Sequence, residues 1–199
     1  MAIDIGAPAI NRGGWGYYGY TRIGLTNPAN GSGVIDTIEV WAVENITGLR
    51  VGTFYLVSGT TYRCRDSVTI GNVTAGSKQT FTGLSIDVVA GDYIGCYFVS
   101  GLIEYDTVGG AGNYSILGEY IDPNDQAVYT LYAGVVDSLY GMGVEGQKTA
   151  SDLGSGADAI VSGSPVATLV KSQTGVGADA SAKGLFSSDA GYCGEVLEG

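Results

Sequence analysis

Residues 78–99, KQTFTGLSIDVVAGDYIGCYFV, constrain the fold more than any other stretch, because they read as two successive β-strands around one turn. In the first half Leu84, Ile86 and Val88 alternate with Ser85 and Asp87, the two-residue period of a strand with one face buried. Ala90, Gly91 and Asp92 interrupt the run. In the second half Ile94, Cys96 and Phe98 share one face while Tyr93, Tyr97 and Val99 share the other, so this strand is apolar on both sides and is expected inside a sheet. The two strands are expected to form a hairpin around which the rest of the chain is organised.

The flanking sequence has the same character. Residues 21–26, 34–43, 51–57, 61–70, 102–107, 113–121 and 127–136 all read as strands, separated by turn-forming clusters such as NPANG at 27–31 and DPND at 122–125. Residues 44–48 read as a turn between two strands, and Ser58, Gly59 and Thr60 close a hairpin into 61–70, where Tyr62 and Cys64 face in and Arg63 and Arg65 face out. About nine short strands at spacings of roughly 8–12 residues point to an antiparallel sandwich or barrel. No stretch has a convincing helical period, so helix is expected to be nearly absent. Composition agrees: Gly 34 of 199 residues is far above the usual share of about 7%, and Tyr 14 against Phe 4 favours aromatics that pack with one edge wet. The expected fold is all-β: an antiparallel, jelly-roll-like β-sandwich over residues 17–140, preceded by an N-terminal arm (1–16) and followed by a Gly/Asp-rich β repeat tail (141–199).

Charge and residue usage narrow the function classes. Nine Lys+Arg against 20 Asp+Glu give a net charge of −11, which opposes a phosphate backbone or an anionic membrane surface and argues against a nucleic-acid partner. The chain has no His, which removes the commonest general base and transition-metal ligand and every Ser-His or Cys-His nucleophile pair. Cys64, Cys96 and Cys193 show no C-x-x-C spacing, so they are expected as free, mostly buried thiols, with a Cys64–Cys96 bridge as the alternative if their strands are neighbours. The first eight residues include Asp4 and no basic stretch, so no secretion signal is expected, and no apolar run approaches the roughly 20 residues of a membrane span. Asn30, Asn45, Asn72 and Asn113 each open an N-glycosylation acceptor triplet. Each also falls in an expected turn, where Asn is favoured for backbone reasons, and that reading is preferred.

Three groups of side chains are candidate sites. Residues 11–20, NRGGWGYYGY, alternate glycine with large aromatics. Trp15, Tyr17, Tyr18 and Tyr20 are either rings packed across a neighbouring surface or a weak glycan-stacking platform. The glycines favour packing, because an unpacked arm of this kind is too mobile to hold a preorganised platform. Residues 151–159 and 172–180, SDLGSGADA and SQTGVGADA, match at six of nine positions and form an internal repeat. Its Asp158 and Asp179 are weak calcium candidates, since each copy offers one carboxylate; no other metal or cofactor is expected. Glu104, Asp106, Glu119, Asp122 and Asp125 could supply a glycosidase pair, but their spacing selects none, and no enzyme activity is expected.

The run GLSIDVVAGDYIGCYF at 83–98, then IEYDTVGG at 103–110, and then the Ser-Asp-x-Gly-x-Gly-Ala-Asp-Ala type repeats resemble virion structural proteins of tailed bacteriophages and related prophages. In those a β-sandwich module precedes short Gly/Asp repeats. The resemblance runs from about residue 13 to 199 and implies a non-enzymatic fibre, decoration or tail component of the virion, assembled in the host cytoplasm. The implied partners are other copies of the chain or other virion proteins, without membrane insertion. The alternative is a carbohydrate-binding adhesin module or filament subunit at an extracellular surface, with a host glycan as partner.

Overall fold

The structure, a computed structural model, describes residues 1–146. Over these residues the protein is all-β: 13 strands joined in one hydrogen-bonded network, with every strand pair antiparallel. The strands are β1 (Ala2–Gly6), β2 (Gly14–Tyr17), β3 (Tyr20–Gly24), β4 (Gly33–Ser58), β5 (Thr61–Val73), β6 (Lys78–Val88) and β7 (Tyr93–Tyr97). They continue as β8 (Ser100–Asp106), β9 (Asn113–Leu117), β10 (Gln126–Val128), β11 (Thr130–Tyr132), β12 (Val136–Asp137) and β13 (Leu139–Glu145). Among the described residues no helix is long and apolar enough to cross a membrane.

The organising element is β4, at 26 residues several times the usual strand length of about 5–6. Its first part pairs with β6 on one side and β13 on the other. Its middle pairs with β8, from Ala42 opposite Ile103 to Thr47 opposite Ser100. Its last part pairs with β5 and β7. The expected turn at 44–48 is therefore a bend inside one strand. The register slips at several points between Ala42 and Arg50, and Gly48 supplies the positive φ (64°) that lets the backbone swing between layers. Asn45 and Gly48 looked like turn residues because a strand kink needs the same backbone freedom as a turn.

The expected hairpin at 78–99 is corrected on the same ground. β6 and β7 do read as strands with the anticipated faces: Ile86, Val88, Ile94, Cys96 and Phe98 are all buried. They do not pair with each other. β6 lies on the first part of β4, from Val88 opposite Gly33 to Lys78 opposite Trp41. β7 lies between the last part of β4 and β3. The intervening turn is an arch between layers, held by Asp92, which is buried, accepts the Val89 N–H (2.9 Å) and pairs with Arg65.

Residues 1–16, expected as an arm, supply β1 and β2. Ile3 and Ile5 are buried, with β1 paired to β13 from Ala2 opposite Val144 to Gly6 opposite Tyr140. β13 runs past residue 140, where the sandwich was expected to end. The expected strand at 113–121 stops at Leu117, and 127–136 is split into β10, β11 and β12. The split has a cause: β10 pairs with β5, β11 pairs with β9, and between them the Tyr129 N–H bonds to the Thr60 carbonyl at 2.9 Å. The segment 126–132 thus joins the outer strands of the series β5-β4-β7-β3-β9 and closes it into a ring.

This ring has a core on each face. Outside it, Val51, Ile94, Cys96 and Phe98 pack with Ile35, Ile38, Val40, Ile86, Ile5 and Leu139 from the layer β6-β4-β13-β1. Inside it, Ile23, Phe54, Tyr62, Cys64, Ile121 and Tyr129 form a second core, with Tyr93 and Tyr114 packed against it. Tyr62 is the hub: its ring centroid lies 4.9 Å from Tyr114, 5.9 Å from Tyr93 and 6.1 Å from Tyr129, the last two edge-to-face. Cys64 belongs to the inner core and Cys96 to the outer, on opposite faces of the sheet, so both are free thiols and the alternative bridge is not formed.

Candidate functional site

On the outer face of the ring, alternation puts Tyr20 and Arg22 of β3 beside Asn113 and Ser115 of β9, because Thr21, Ile23 and Tyr114 point the other way. Arg22 sits directly opposite Ser115, and Asn113 opposite Tyr132 of β11. β8 brings Tyr105 to this face, and β12, paired to β8, brings Asp137 opposite Tyr105. A cleft of about 280 Å³ opens here, walled by Tyr20, Tyr105 and Tyr132 and floored by Arg22, Asn113 and Ser115. Its volume is near the lower end of the roughly 300–1,000 Å³ found for small-molecule clefts.

The floor is a closed polar network. Arg22 donates from Nε and Nη2 to Asp137 Oδ1, at 3.2 and 2.6 Å. Asn113 donates Nδ2 to Asp137 Oδ2, and Ser115 donates its hydroxyl to Asn113 Oδ1 at 2.5 Å. Asp137, Asn113 and Ser115 are buried, and the Arg22 side chain is only 11% exposed. Burial opposes the guanidinium charge, but the pull of Asp137 and its hydrogen bonds outweigh it, so the Arg22 pKa rises and the guanidinium stays charged. Tyr105 adds a cation–π contact, its ring centroid 5.6 Å from Arg22 Cζ. The floor is therefore neutral as a whole while presenting directional donors and acceptors.

β2 forms one rim. It is an edge strand on β8, with Gly14 opposite Tyr105 and Tyr17 opposite Leu102. Gly16 faces the floor so closely that a Cβ there would lie 2.8 Å from Arg22 Cζ and would have to displace the guanidinium from its place beside Asp137. Trp15 and Tyr17 consequently project from the other side of β2 and border the cleft half exposed, at 48% and 58%. The preceding residues are anchored as well: Arg12 donates its N–H to Glu104 (2.9 Å) and its Nε to Ser138 (2.8 Å). Strand pairing and the Arg12 contacts hold this segment in place despite its glycines.

Of the aromatic candidates, Trp15, Tyr17 and Tyr20 border the cleft, whereas Tyr18 is exposed and does not line it. Tyr105, Tyr132, Arg22, Asn113, Ser115 and Asp137 were not anticipated. Asn113 was placed in a turn as a glycosylation candidate, but it opens β9 and is buried with its amide bonded to Asp137. Asn45 and Asn72 also lie in strands, β4 and β5. The carboxylates considered for glycoside hydrolysis all have structural partners. Glu104 accepts the Arg12 N–H, and Asp106 accepts the Gly13 N–H and pairs with Arg12. Glu119 and Asp122 both bind Arg50, and Asp125 caps the Asp122 N–H. The calcium candidates Asp158 and Asp179 lie outside the described residues. Among the described residues no group of three or more Cys, Asp or Glu is placed to hold a metal ion.

Neither a family model, nor a curated protein, nor a solved structure matches the chain.

Proposed function

We propose that the protein is a non-enzymatic virion structural protein, a fibre, decoration or tail component that associates with further copies of itself. The observation that carries this reading is a group of exposed branched aliphatic side chains where the β4–β5 hairpin meets β10. The β4–β5 hairpin carries Leu56 (51% exposed) and Val57 (43%), and Val128 of β10 (67%) sits beside it, opposite Thr61. Branched aliphatic side chains at the tip of a hairpin and on the adjoining strand suit burial against a like surface. The basic side chains support the same reading, since Arg12, Arg22, Arg50, Arg65 and Lys78 are engaged in ion pairs within the subunit and do not form a patch for nucleic acid. On this reading the layer β6-β4-β13-β1 and the ring that packs on it are the two halves of a jelly-roll-like sandwich, assembled in the host cytoplasm with its virion partners.

Two measurements test it. Sedimentation of the purified chain is expected to show a multimer that Val57→Asp with Val128→Asp disperses without lowering the melting temperature; a monomer at all concentrations overturns self-association. Mass spectrometry of particles banded from the producing culture is expected to find peptides of this chain. Peptides confined to the cell fraction overturn the virion assignment.

A further inference from the structure

We infer that the cleft between β2, β8 and the outer face of β3-β9-β11 is a binding site for a neutral saccharide, the size of one sugar ring with its neighbours extending along the rim. The inference goes beyond the reading of the chain as a particle subunit and does not depend on it, because every residue of the cleft belongs to a single copy.

The chemistry of the lining selects the ligand. Tyr20, Tyr105 and Tyr132 offer aromatic faces and edges to the C–H face of a pyranose. The floor matches the hydroxyls. Ser115 spends its proton on Asn113 and keeps its lone pairs to accept from a sugar hydroxyl. Arg22 spends Nε and Nη2 on Asp137, and its Nη1, which no other group engages among the described residues, can donate to the next hydroxyl. An acceptor and a donor side by side, on strands paired at Arg22 opposite Ser115, suit two vicinal hydroxyls.

Charge decides against the other small polar ligands. Asp137 already neutralises Arg22, so the cleft has no uncompensated cation to attract a phosphate or a carboxylate, and no uncompensated anion to attract an amine. A purely apolar ligand would desolvate the free acceptor lone pairs of Ser115 and the Arg22 Nη1 donor without supplying partners. A ligand with both a C–H face and a dense set of neutral hydroxyls satisfies both surfaces. The site is also rigid before the ligand arrives, because Gly16 is seated on the guanidinium and β2 is paired to β8, so little ordering is left for binding to offset.

The test uses the full chain, fluorescently labelled, on a printed array of neutral, amino and acidic oligosaccharides, together with Tyr132→Ala and Ser115→Ala variants. Tyr132 is half exposed and its truncation leaves both cores untouched; equal melting temperatures confirm folding of each variant. The expected result is retention on neutral glycans that falls at least tenfold in both variants. Retention on no arrayed saccharide, retention on acidic glycans alone, or retention unchanged in both variants overturns the inference. A self-association result of either sign leaves these outcomes as they are.

Discussion

The core outside the ring is almost wholly aliphatic, with Ile, Val and Leu from two facing layers meeting around Phe98, whereas the core inside it is built on tyrosine, with Tyr62 touching three other tyrosine rings. One sheet serves both, since alternate residues of β4 and β7 face opposite ways. Val51 and Ile94 point outward, while Phe54 points inward and Tyr93 packs with it. The outer core can be purely aliphatic because a second layer covers it. The inner core is enclosed by one small ring and is filled by large tyrosine rings, of which Tyr62 and Tyr129 are buried.

The difference can be broken at each core in turn. The largest effect is expected at Phe98, fully buried where the two layers meet. Phe98→Ala should cost about 3–5 kcal/mol in urea unfolding, through lost transfer energy and the cavity left behind. A loss under about 1 kcal/mol would mean that the aliphatic core does not depend on the ring of Phe98.

A smaller effect, confined to the inner core, is expected at high pH. Burial, reinforced by Tyr114 and Tyr93, pushes the Tyr62 hydroxyl up from 10.0 to about 12, and burial also raises Tyr129. In the unfolded chain a tyrosine ionises near pH 10. The native state therefore holds its proton over a range where the unfolded state has released it. The stabilisation is complete below about pH 10 and is lost as pH rises toward about 12. Melting temperature should fall across that window, and Tyr62→Phe should flatten the fall while changing stability little at pH 7. An identical fall in the variant would place the alkaline sensitivity elsewhere.

The smallest effect is one on which the two cores should agree. Burial pushes Cys64 and Cys96 both up to about 12, so neither is a thiolate at neutral pH. Peptide mapping after iodoacetamide treatment of the native protein should find both unmodified, and both modified in denaturant. Alkylation of Cys64 alone in the native protein would show that the ring opens more readily than the aliphatic layer.

The outer core was largely legible in the sequence and the inner one was not. Ile86, Val88, Ile94, Cys96 and Phe98 announce themselves by strict alternation, a local signal that survives whatever partner the strand takes. Tyr62 and Cys64 were read correctly as facing inward, but nothing local shows that 126–132 leaves one strand for another and so encloses them. β1 was passed over although Ile3 and Ile5 alternate, because a short terminal run carries little pattern on its own. The cleft was half visible, since Trp15, Tyr17 and Tyr20 stood out as aromatics among glycines. Arg22 is a lone cation within an apolar strand, which could have flagged a buried partner. Its identity could not be read, because Asp137 reaches it only through the pairing of β12 with β8. Strand partnership is a non-local property: it decides the error at 78–99, and it sets where the strands at 44–48 and 127–136 bend or break.

The length of β4 bears on how the chain can acquire its structure in time. A strand shared by every layer is completed only when its most distant partners have been made. Its first part needs β13, which ends at Glu145, and its last part needs β7. The β5 and β6 sides of β4 can pair once residues 61–88 have been made, but the edge that β13 occupies stays open until nearly the whole described region is complete. Closing loops of that size before any layer is complete makes folding slow and late, and it leaves an exposed template for pairing with a neighbouring nascent chain. Rapid synthesis at high local concentration is the condition under which this architecture is most exposed to misassembly.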